Sequence, residues 1–515
     1  MFPKYQYHSP LGLVHFFPLS TEKSGNSIFS TTTLSYSKEQ LGTVSPSTIS
    51  SSVVQIVVKK QVNGFGVNSF QITLVDQQDE DGRTWLDKIY PNDLVSIYMC
   101  RPGVDGRDPL PVMLGVVRSI SKVTNLSGTV DSPSVERQII VSGMELVGLT
   151  ASHYIFGNSS LLPPIIKLKD NYFPELKSLF KFLNEVFAQN IVSPVHNILE
   201  KYFEEIFKPD LEMINIPYNG QKLTQYLVFD SSQGSFKIND ELKIFGLNYT
   251  MYSGSGAQFI DQVLQKPFNE IVTRYSLTQM DRLIPKCRVV VRPSPFKYEV
   301  TSTKNFVTHG YDLPKGAGMV DVRKLENHVH LVRDVDVITE NIGRKSDFEH
   351  NIFIVAPATP EAVGVSLELN IEPVADTEHI KRHGINPIIV NLDYFNSAQA
   401  IEDASKKGGE NATVKFSYAE ITLANNLANV LKQWYIKSCE FLSGSMQIRG
   451  SASISEGDAL IYETADYGGK NGKRYFLFYV DTVAHVFINF ETFITNLELS
   501  RGVEIKEEEA SGLLR

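Results

Sequence analysis

The sequence predicts an α+β chain that is predominantly β, built on two similar antiparallel β-barrel domains with helical and mixed α/β domains inserted. Three observations lead there. Short apolar runs rich in Val, Ile, Phe and Tyr fill residues 53–150, separated by turn residues, and such runs return after residue 440. Between Pro164 and Pro209 a helical period replaces them. The two β regions also share a short internal echo.

With 515 residues the chain is long enough for several domains. Lys+Arg 49 against Asp+Glu 58 leaves a net charge of −9, which disfavours a protein that grips nucleic acid through a basic face. A hydrophobic share of 42% with 21% charged residues excludes a disordered or fibrous chain. The three cysteines, Cys100, Cys287 and Cys439, are far apart and read as buried free thiols, not as a disulfide framework or zinc module. The most apolar stretch, Tyr475 to Phe490, carries Asp481 and His485 and falls short of the ~18 apolar residues of a spanning helix. Pro3, His8, Pro10 and His15 break any signal-peptide core, so a soluble chain made in a cytoplasm is expected.

Residues 1–52 are aromatic and then Ser/Thr-rich, with Ser37 to Ser52 reading as an arm and linker. Residues 53–155 form the first expected barrel, with Asn63-Gly64, Asp81-Gly82, Pro91-Asn92 and Asp105-Gly106 as turns. Residues 156–284 form a helical and mixed insert. There Leu176, Leu179, Phe180, Leu183, Val186 and Phe187 share one helical face, and Ile198, Leu199, Tyr202, Phe203 and Ile206 share another. Such stripes serve as core or as a partner groove, and Pro209 is expected to close the second helix.

Residues 285–300 plus 440–505 form the second expected barrel, with Asn471-Gly472 as its strongest hairpin signal. Residues 301–439 form a mixed α/β domain. It contains strands at His350 to Pro357 and Pro387 to Phe395, and a helix from Ala419 to Tyr435. That helix places Leu423, Leu427, Val430, Leu431 and Trp434 on one side. Residues 506–515 read as an acidic, solvated tail.

The echo runs from Asp93-Leu94-Val95-Ser96-Ile97-Tyr98 to Asp458-Ala459-Leu460-Ile461-Tyr462, each followed by two long strands. Short β-runs echo one another readily, so on the residues alone a duplicated sheet and two unrelated sheets both stand.

The candidate chemistry is sparse. Asp76 to Gly82 lacks the alternate carboxylates and closing Glu of a calcium loop and reads as a solvated hairpin turn. His328-x-His330 can place two imidazoles on one strand face, without a third ligand nearby in sequence. Gly468 to Lys473 lacks the spacing of a phosphate loop, and a strand follows it, so it reads as a hairpin. Glu204 and Glu205 are neighbours about 100° apart on a helix and form no carboxylate dyad. No HExxH, GxSxG or CxxC is present. The expectation is a protein that is not an enzyme, with no catalytic, cofactor-binding or metal residues and no cofactor.

A set of fragments in the second half, each weak alone, keeps the order of a known family. Phe268-Asn269-Glu270 and then Val289-Val290-Val291-Arg292-Pro293-Ser294-Pro295-Phe296 resemble the "NEL … lRptPF" signature of phage tail baseplate hub proteins. Asn351 to Pro357 follows, and then Asp376 to Ile385 is similar to the family's "D…SI.kYG" segment. Tyr479 to His485, with Phe493 to Gly502, resembles its "YyVdsVsH … T.l.lsRG" ending.

The family is the hub of contractile tails and injection machines, related to the N-terminal part of type VI secretion spike proteins. The resemblance implies a homotrimer in which each subunit gives two tube-like barrels, making a pseudo-sixfold ring between the hexameric tail tube and the trimeric spike. It implies the tail tube protein and the spike as partners, with other baseplate proteins and the tape measure protein as further ones. It further implies that DNA passes through the channel without specific binding, that no membrane partner is involved, and that the place is the virion baseplate after assembly in the host cytoplasm. Two other readings remain beside it: a tail-tip peptidoglycan hydrolase, and the hub of a bacterial contractile injection system delivering a protein effector.

Overall fold

The computed structural model describes residues 10–19, 29–32, 48–50, 52–78, 82–101, 105, 109–129, 132–152, 154–158, 195–212, 214–217, 219–235, 251–264, 266–277, 283–294, 328–344, 350–357, 373–392, 441–465, 472–489 and 491–514, with several positions between 425 and 435. The expected helix at 176–187, and the positions Leu423, Val430 and Cys439, lie outside them.

The first strands are β1 (Leu11–Phe17), β2 (Phe29–Thr32), β3 (Thr48–Ser50), β4 (Val53–Gln61), β5 (Ser69–Val75), β6 (Leu94–Cys100), β7 (Leu110–Thr129) and β8 (Ser132–Glu145). Smaller pieces follow: β9 (Tyr154–Asn158), β10 (Asn215–Ile216), β11 (Gln221–Lys222), β12 (Leu227–Asp230), β13 (Met251–Ser255), β14 (Asn269–Ser276) and β15 (Lys286–Pro293). Next come β16 (Val329–Arg333), β17 (Val337–Gly343), β18 (Ile352–Pro357), β19 (Val374–Ala375) and β20 (Pro387–Leu392). The chain ends with β21 (Leu442–Arg449), β22 (Ala459–Ala465), β23 (Lys473–Ile488) and β24 (Thr492–Ile505).

A 14-stranded sheet dominates, in the order β17-β21-β24-β23-β4-β5-β8-β7-β6-β1-β2-β3, with β22 on β23 and β16 on β22. The fold is therefore predominantly β with few helices among the described residues. No ladder among the described residues closes either half, so the two β regions form one continuous sheet where two separate closed barrels were expected. The join is the antiparallel pairing of β4 with the distal half of β23, from Thr482↔Gln61 to Ile488↔Gln55.

Within that sheet a strand order is repeated. The first half reads β4-β5-β8-β7-β6-β1, and the second reads β17-β21-β24-β23-β22-β16. Taken by position in the chain, these are the same arrangement. One difference is orientation: β1 runs antiparallel to β6, whereas β16 runs parallel to β22.

The echo lies at equivalent places in the two halves, down to single hydrogen bonds. Asp93 Oδ2 accepts from Tyr90 N at 2.8 Å, and Asp458 Oδ2 accepts from Ser455 N at 2.8 Å. Asn92 and Gly457, with φ of 75° and 78°, take the left-handed position in the two turns. The N–H of each donates 2.8 Å to a carbonyl, that of Val117 or of Val480. In return Val117 N donates to Asp93 O at 2.9 Å and Val480 N to Asp458 O at 3.0 Å. A register shift then follows in each long hairpin, between Val117 and Ser119 and between Val480 and Thr482.

Each half encloses its own core. Ile56, Ile72, Ile97 and Val141 belong to the first; Met446, Leu460, Phe478 and Leu497 belong to the second. A third core lies between the first half and the insert, where Leu94, Leu114 and Val116 meet Leu199, Tyr202, Phe259 and Ile271. That explains why β6 is buried at every position: it has a core on both faces. The aromatic stripe Ile198, Leu199, Tyr202, Phe203 and Ile206 is buried in this third core.

Several expectations need correction. Residues 11–17 of the expected arm form β1, paired along its length with β6, because LGLVHFF is apolar enough to be buried. β15, expected in the second barrel, pairs with β14 and β12 in a separate three-stranded sheet. β16 and β17, expected in the mixed domain, join the large sheet instead. Helix Val195–Tyr202 runs through a π turn at Phe203–Phe207 into Lys208–Glu212, so Pro209 lies within a continuous helical run, just past the π turn, and does not end it. The hairpin expected at Asp76 to Gly82 falls partly on residues 79–81, which lie outside the described ones; β5 before it pairs with β4 and β8, and Thr84 and Asp87 after it start a short helix, Trp85–Lys88, through a capping box. The acidic end is a helix, Glu507–Leu513, whose Ala510 is buried with Tyr475, Leu477 and Ile505.

No helix among the described residues is long and apolar enough to cross a membrane.

Candidate functional site

The two halves and the β14–β15 hairpin meet at a buried ionic cluster. Its basic groups are Lys60 in β4, Arg274 in β14 and Arg292 in β15. Their partners come from β14 and from the turn before β22. Lys60 Nζ lies 2.8 Å from Glu456 Oε2 and also donates to Ser455 Oγ at 2.8 Å. Arg274 Nη2 lies 2.9 Å from Asp458 Oδ1, while its Nη1 donates to Glu456 O at 2.7 Å. Arg292 Nε donates to Glu270 Oε1 at 2.7 Å, and its Nη2 to Gly457 O at 2.7 Å. Tyr479 Oη of β23 donates to Glu270 Oε2 at 2.7 Å, and His330 Nε2 of β16 lies 3.0 Å from Asp458 Oδ2.

The arithmetic of charge closes. Lys60, Arg274 and Arg292 oppose Glu270, Glu456 and Asp458, so the cluster is neutral as a set, which burial requires. Burial alone would raise the Glu456 carboxyl, but Lys60 and Arg274 pull it below its ordinary value. Asp458 behaves alike, lowered by Arg274 and His330 against the cost of burial. Glu145, at the edge of the cluster, goes the other way: burial raises its carboxyl, which accepts from Asn68 Nδ2 at 2.8 Å and from Tyr275 Oη. A cavity of about 300 Å³ opens beside the cluster, lined by Lys60, Arg274, His330, Ser453 and His485 among others.

The candidate residues of the sequence fall as follows. His328 and His330 do share a face, with ring centroids 6.4 Å apart, but His330 is committed to Asp458. Among the described residues no group of three metal-ligating side chains occurs. Asp76 pairs with Lys122 at 2.6 Å, and Glu204 with Lys208 at 2.7 Å along one helix. Cys100 and Cys287 are buried thiols outside any disulfide. Gly468 to Asn471 lies outside the described residues.

The fragments that carry the family resemblance prove to be clamps and caps. Glu270, Arg292 and Tyr479 belong to the cluster itself. Asp376 caps helix Thr377–His383 by accepting from His379 N at 2.9 Å, and Gly384 ends it at φ 78°. Asn351 ties that unit together, donating to Gly384 O at 2.6 Å and accepting from Asn386 N at 2.8 Å. Arg501 lies 4.4 Å over the Trp434 ring.

No family model matches the chain, and no curated protein does. Among solved structures it is similar to a tail protein from Neisseria meningitidis MC58, at 9% identity and a TM-score of 0.40, over 87% of this chain and 92% of that one. It is also similar to the 43 kDa tail protein of prophage MuSo2 from Shewanella oneidensis, at 8% identity and a TM-score of 0.42, over 96% and 97%. A third likeness is to a component of the type VI secretion system of E. coli, at 9% identity and a TM-score of 0.34, over 89% and 74%.

Proposed function

We propose that the chain is the structural hub of a contractile-tail baseplate, a homotrimer that joins the hexameric tail tube to the trimeric spike and encloses the channel for genome delivery. The observation that supports it most is the repeated strand order, with the two halves joined head to tail through β4 and β23. Two related halves per chain let three chains present six related faces, which is what a threefold part must do to meet a sixfold one. The ordered fragments from Phe268 to Gly502 point to the same family. In this reading β1 with residues 53–145, and β16 and β17 with residues 442–505, supply the two tube-like domains, and the helical segment from Pro164 to Pro209, with the remainder of residues 301–439, makes the skirt around the spike. The role is non-enzymatic. A net charge of −9 suits a conduit for a polyanion, since a basic lumen would hold DNA and not release it.

Light scattering on the purified chain tests the reading. A trimer, alone or with spike protein, is expected; a stable monomer at micromolar concentration, unchanged by spike protein, overturns it. Zymography separates the hydrolase alternative: no clearing of murein is expected, and clearing by the pure chain would favour the enzyme.

A further inference from the structure

The junction between the two halves of one chain contains instructions for a junction between chains. In the first half, the edge strand β4 is covered by residues Thr482–Ile488 of β23. Its counterpart in the second half is β17, the last strand of the large sheet, which pairs with β21 alone among the described residues. The counterpart of the covering segment is the distal part of β7. There the side shared with β6 ends at Val116, and no described strand pairs with it beyond. Among the described residues, one half therefore has an unpaired edge, and the other has an unpaired receptor for it.

From this we infer that β17 of one copy adds to the distal part of β7 of a second copy, antiparallel, in the register that β4 and β23 already use. The inference rests on the assembly reading above and specifies its contact. The register follows from the ladders. Val58 faces Phe70, which faces Gly143, which faces Val117. In the second half Ile342 faces Gly444, which faces Leu499, which faces Val480. Val58 and Ile342 are thus equivalent, as are Val117 and Val480. Since Val58 faces His485, five residues past Val480, Ile342 must face Lys122, five past Val117. Val123 then faces Asn341, and Thr124 faces Glu340.

The surfaces agree with this pairing. A bare edge strand attracts another strand, and proteins that keep one bare usually blunt it. β17 presents apolar surface along its edge: Ile338, at the register shift between Val337 and Thr339, is 48% exposed, and Val335 just before the strand is 70% exposed. Lys122 on the receptor, which pairs with Asp76 at 2.6 Å in its own chain, would also lie diagonal to Glu340 on the edge. The contact is heterologous, edge to receptor, so it leads from copy to copy and closes only as a ring.

Cysteine cross-linking tests the register. Val62 N donates to Asp481 O, which makes Val486↔Val57, and so Val123↔Asn341, a pair between hydrogen-bonded ones, where Cα atoms are closest. The chain with Val123→Cys and Asn341→Cys is expected to cross-link into covalent oligomers on mild oxidation. The chain with Ser119→Cys and Asn341→Cys, four residues out of register, is expected not to, and the wild-type chain controls for Cys439. An oligomer by light scattering that cross-links equally in both variants, or in neither, overturns this register and leaves the hub reading standing. A monomer overturns both.

Discussion

Replacing Lys60 by methionine removes one charge from a cluster whose charges otherwise cancel. The Lys60 side chain is 3% exposed and that of Glu456 is 0% exposed, so Glu456 would keep its charge with water excluded and only Arg274, 3.9 Å away, to answer it. Breaking a buried pair on one side costs about 3–5 kcal/mol, and Glu456→Gln should cost a similar amount by stranding Lys60. The double variant restores the balance: Arg274 still faces Asp458 at 2.9 Å and Arg292 still faces Glu270 at 2.7 Å. It should therefore lose far less than the sum of the single losses, by about 3 kcal/mol or more. Urea unfolding read by tryptophan fluorescence measures the cycle, since Trp85 lies in the first core and Trp434 lies against Phe268 and Arg501 beside the cluster. Additive losses, or a Lys60→Met cost below about 1 kcal/mol, would refute the claim that these charges form one neutral set.

Three further outcomes are expected. Asn92→Gly should stay within about 0.5 kcal/mol because glycine suits the left-handed turn, whereas Gly457→Ala should cost about 1–3 kcal/mol. Its new Cβ would meet Val272 at 2.6 Å and Arg292 at 2.7 Å, and equal thermal-melt shifts for the two variants would contradict the close approach. Asp376→Ala should cost roughly 1 kcal/mol locally, read as faster hydrogen exchange across Thr377–His383 with no change in the large sheet. Stability should be nearly flat between pH 6.5 and 4.5 because two trends oppose. Burial depresses His15 and His485 to about 3, so stability is present above about 6.5 and lost as the unfolded chain takes up those protons. Burial raises Asp93 and Asp481 to about 6, so stability is gained as pH falls from there toward about 4. At pH 4.5 the histidines cost roughly 5 kcal/mol together and the aspartates return roughly 4 kcal/mol. The depressed Glu456 and Asp458 add their loss only below that window. Asp93→Asn with Asp481→Asn should steepen the acid loss, and an unchanged slope in denaturant midpoints would count against it.

The strands were legible because each is a run that fits a half-buried pleat: FQITLV lies in β5, LVSIYMC is β6, and the distal VDTVAHVFI belongs to β23. The Asp93 and Asp458 echo was legible because a turn that needs a carboxylate and a positive φ leaves few residue choices. What was not legible is where strands go when their partner is distant. β15 reads like any sheet strand, and only the fold gives it to β14 and β12. The ionic cluster joins residues far apart in the chain, 184 positions for Arg274 with Asp458 and 395 for Lys60 with Ser455, and no local pattern announces such a pair. A signal did exist. Lys60, Arg274 and Arg292 are charges within otherwise β-forming, largely buried strands, and a buried charge must find an opposite one. Pro209 and the C-terminal Glu run misled because local propensity was overridden, by a π turn in one case and by packing of Ala510 in the other.

A neutral buried cluster is a poor way to gain stability, since well-packed apolar residues in its place do as well or better. What it supplies at this junction is direction. Three guanidinium or ammonium groups and three carboxylates in a dry site satisfy one another in few arrangements, whereas apolar side chains tolerate sliding. The cluster ties β4 of the first half, the β14–β15 hairpin and the turn before β22 of the second, so it fixes the angle at which one half follows the other. If the same head-to-tail step recurs between chains, that angle is repeated at every junction, and a small error in it accumulates until the ring no longer closes. Loosening the cluster should therefore damage assembly before it damages folding. A Lys60→Met, Glu456→Gln chain that keeps its melting behaviour but gives open or mixed oligomers by mass photometry would show the cluster acting on geometry. Uniform oligomers with lowered stability would show it acting only on the fold.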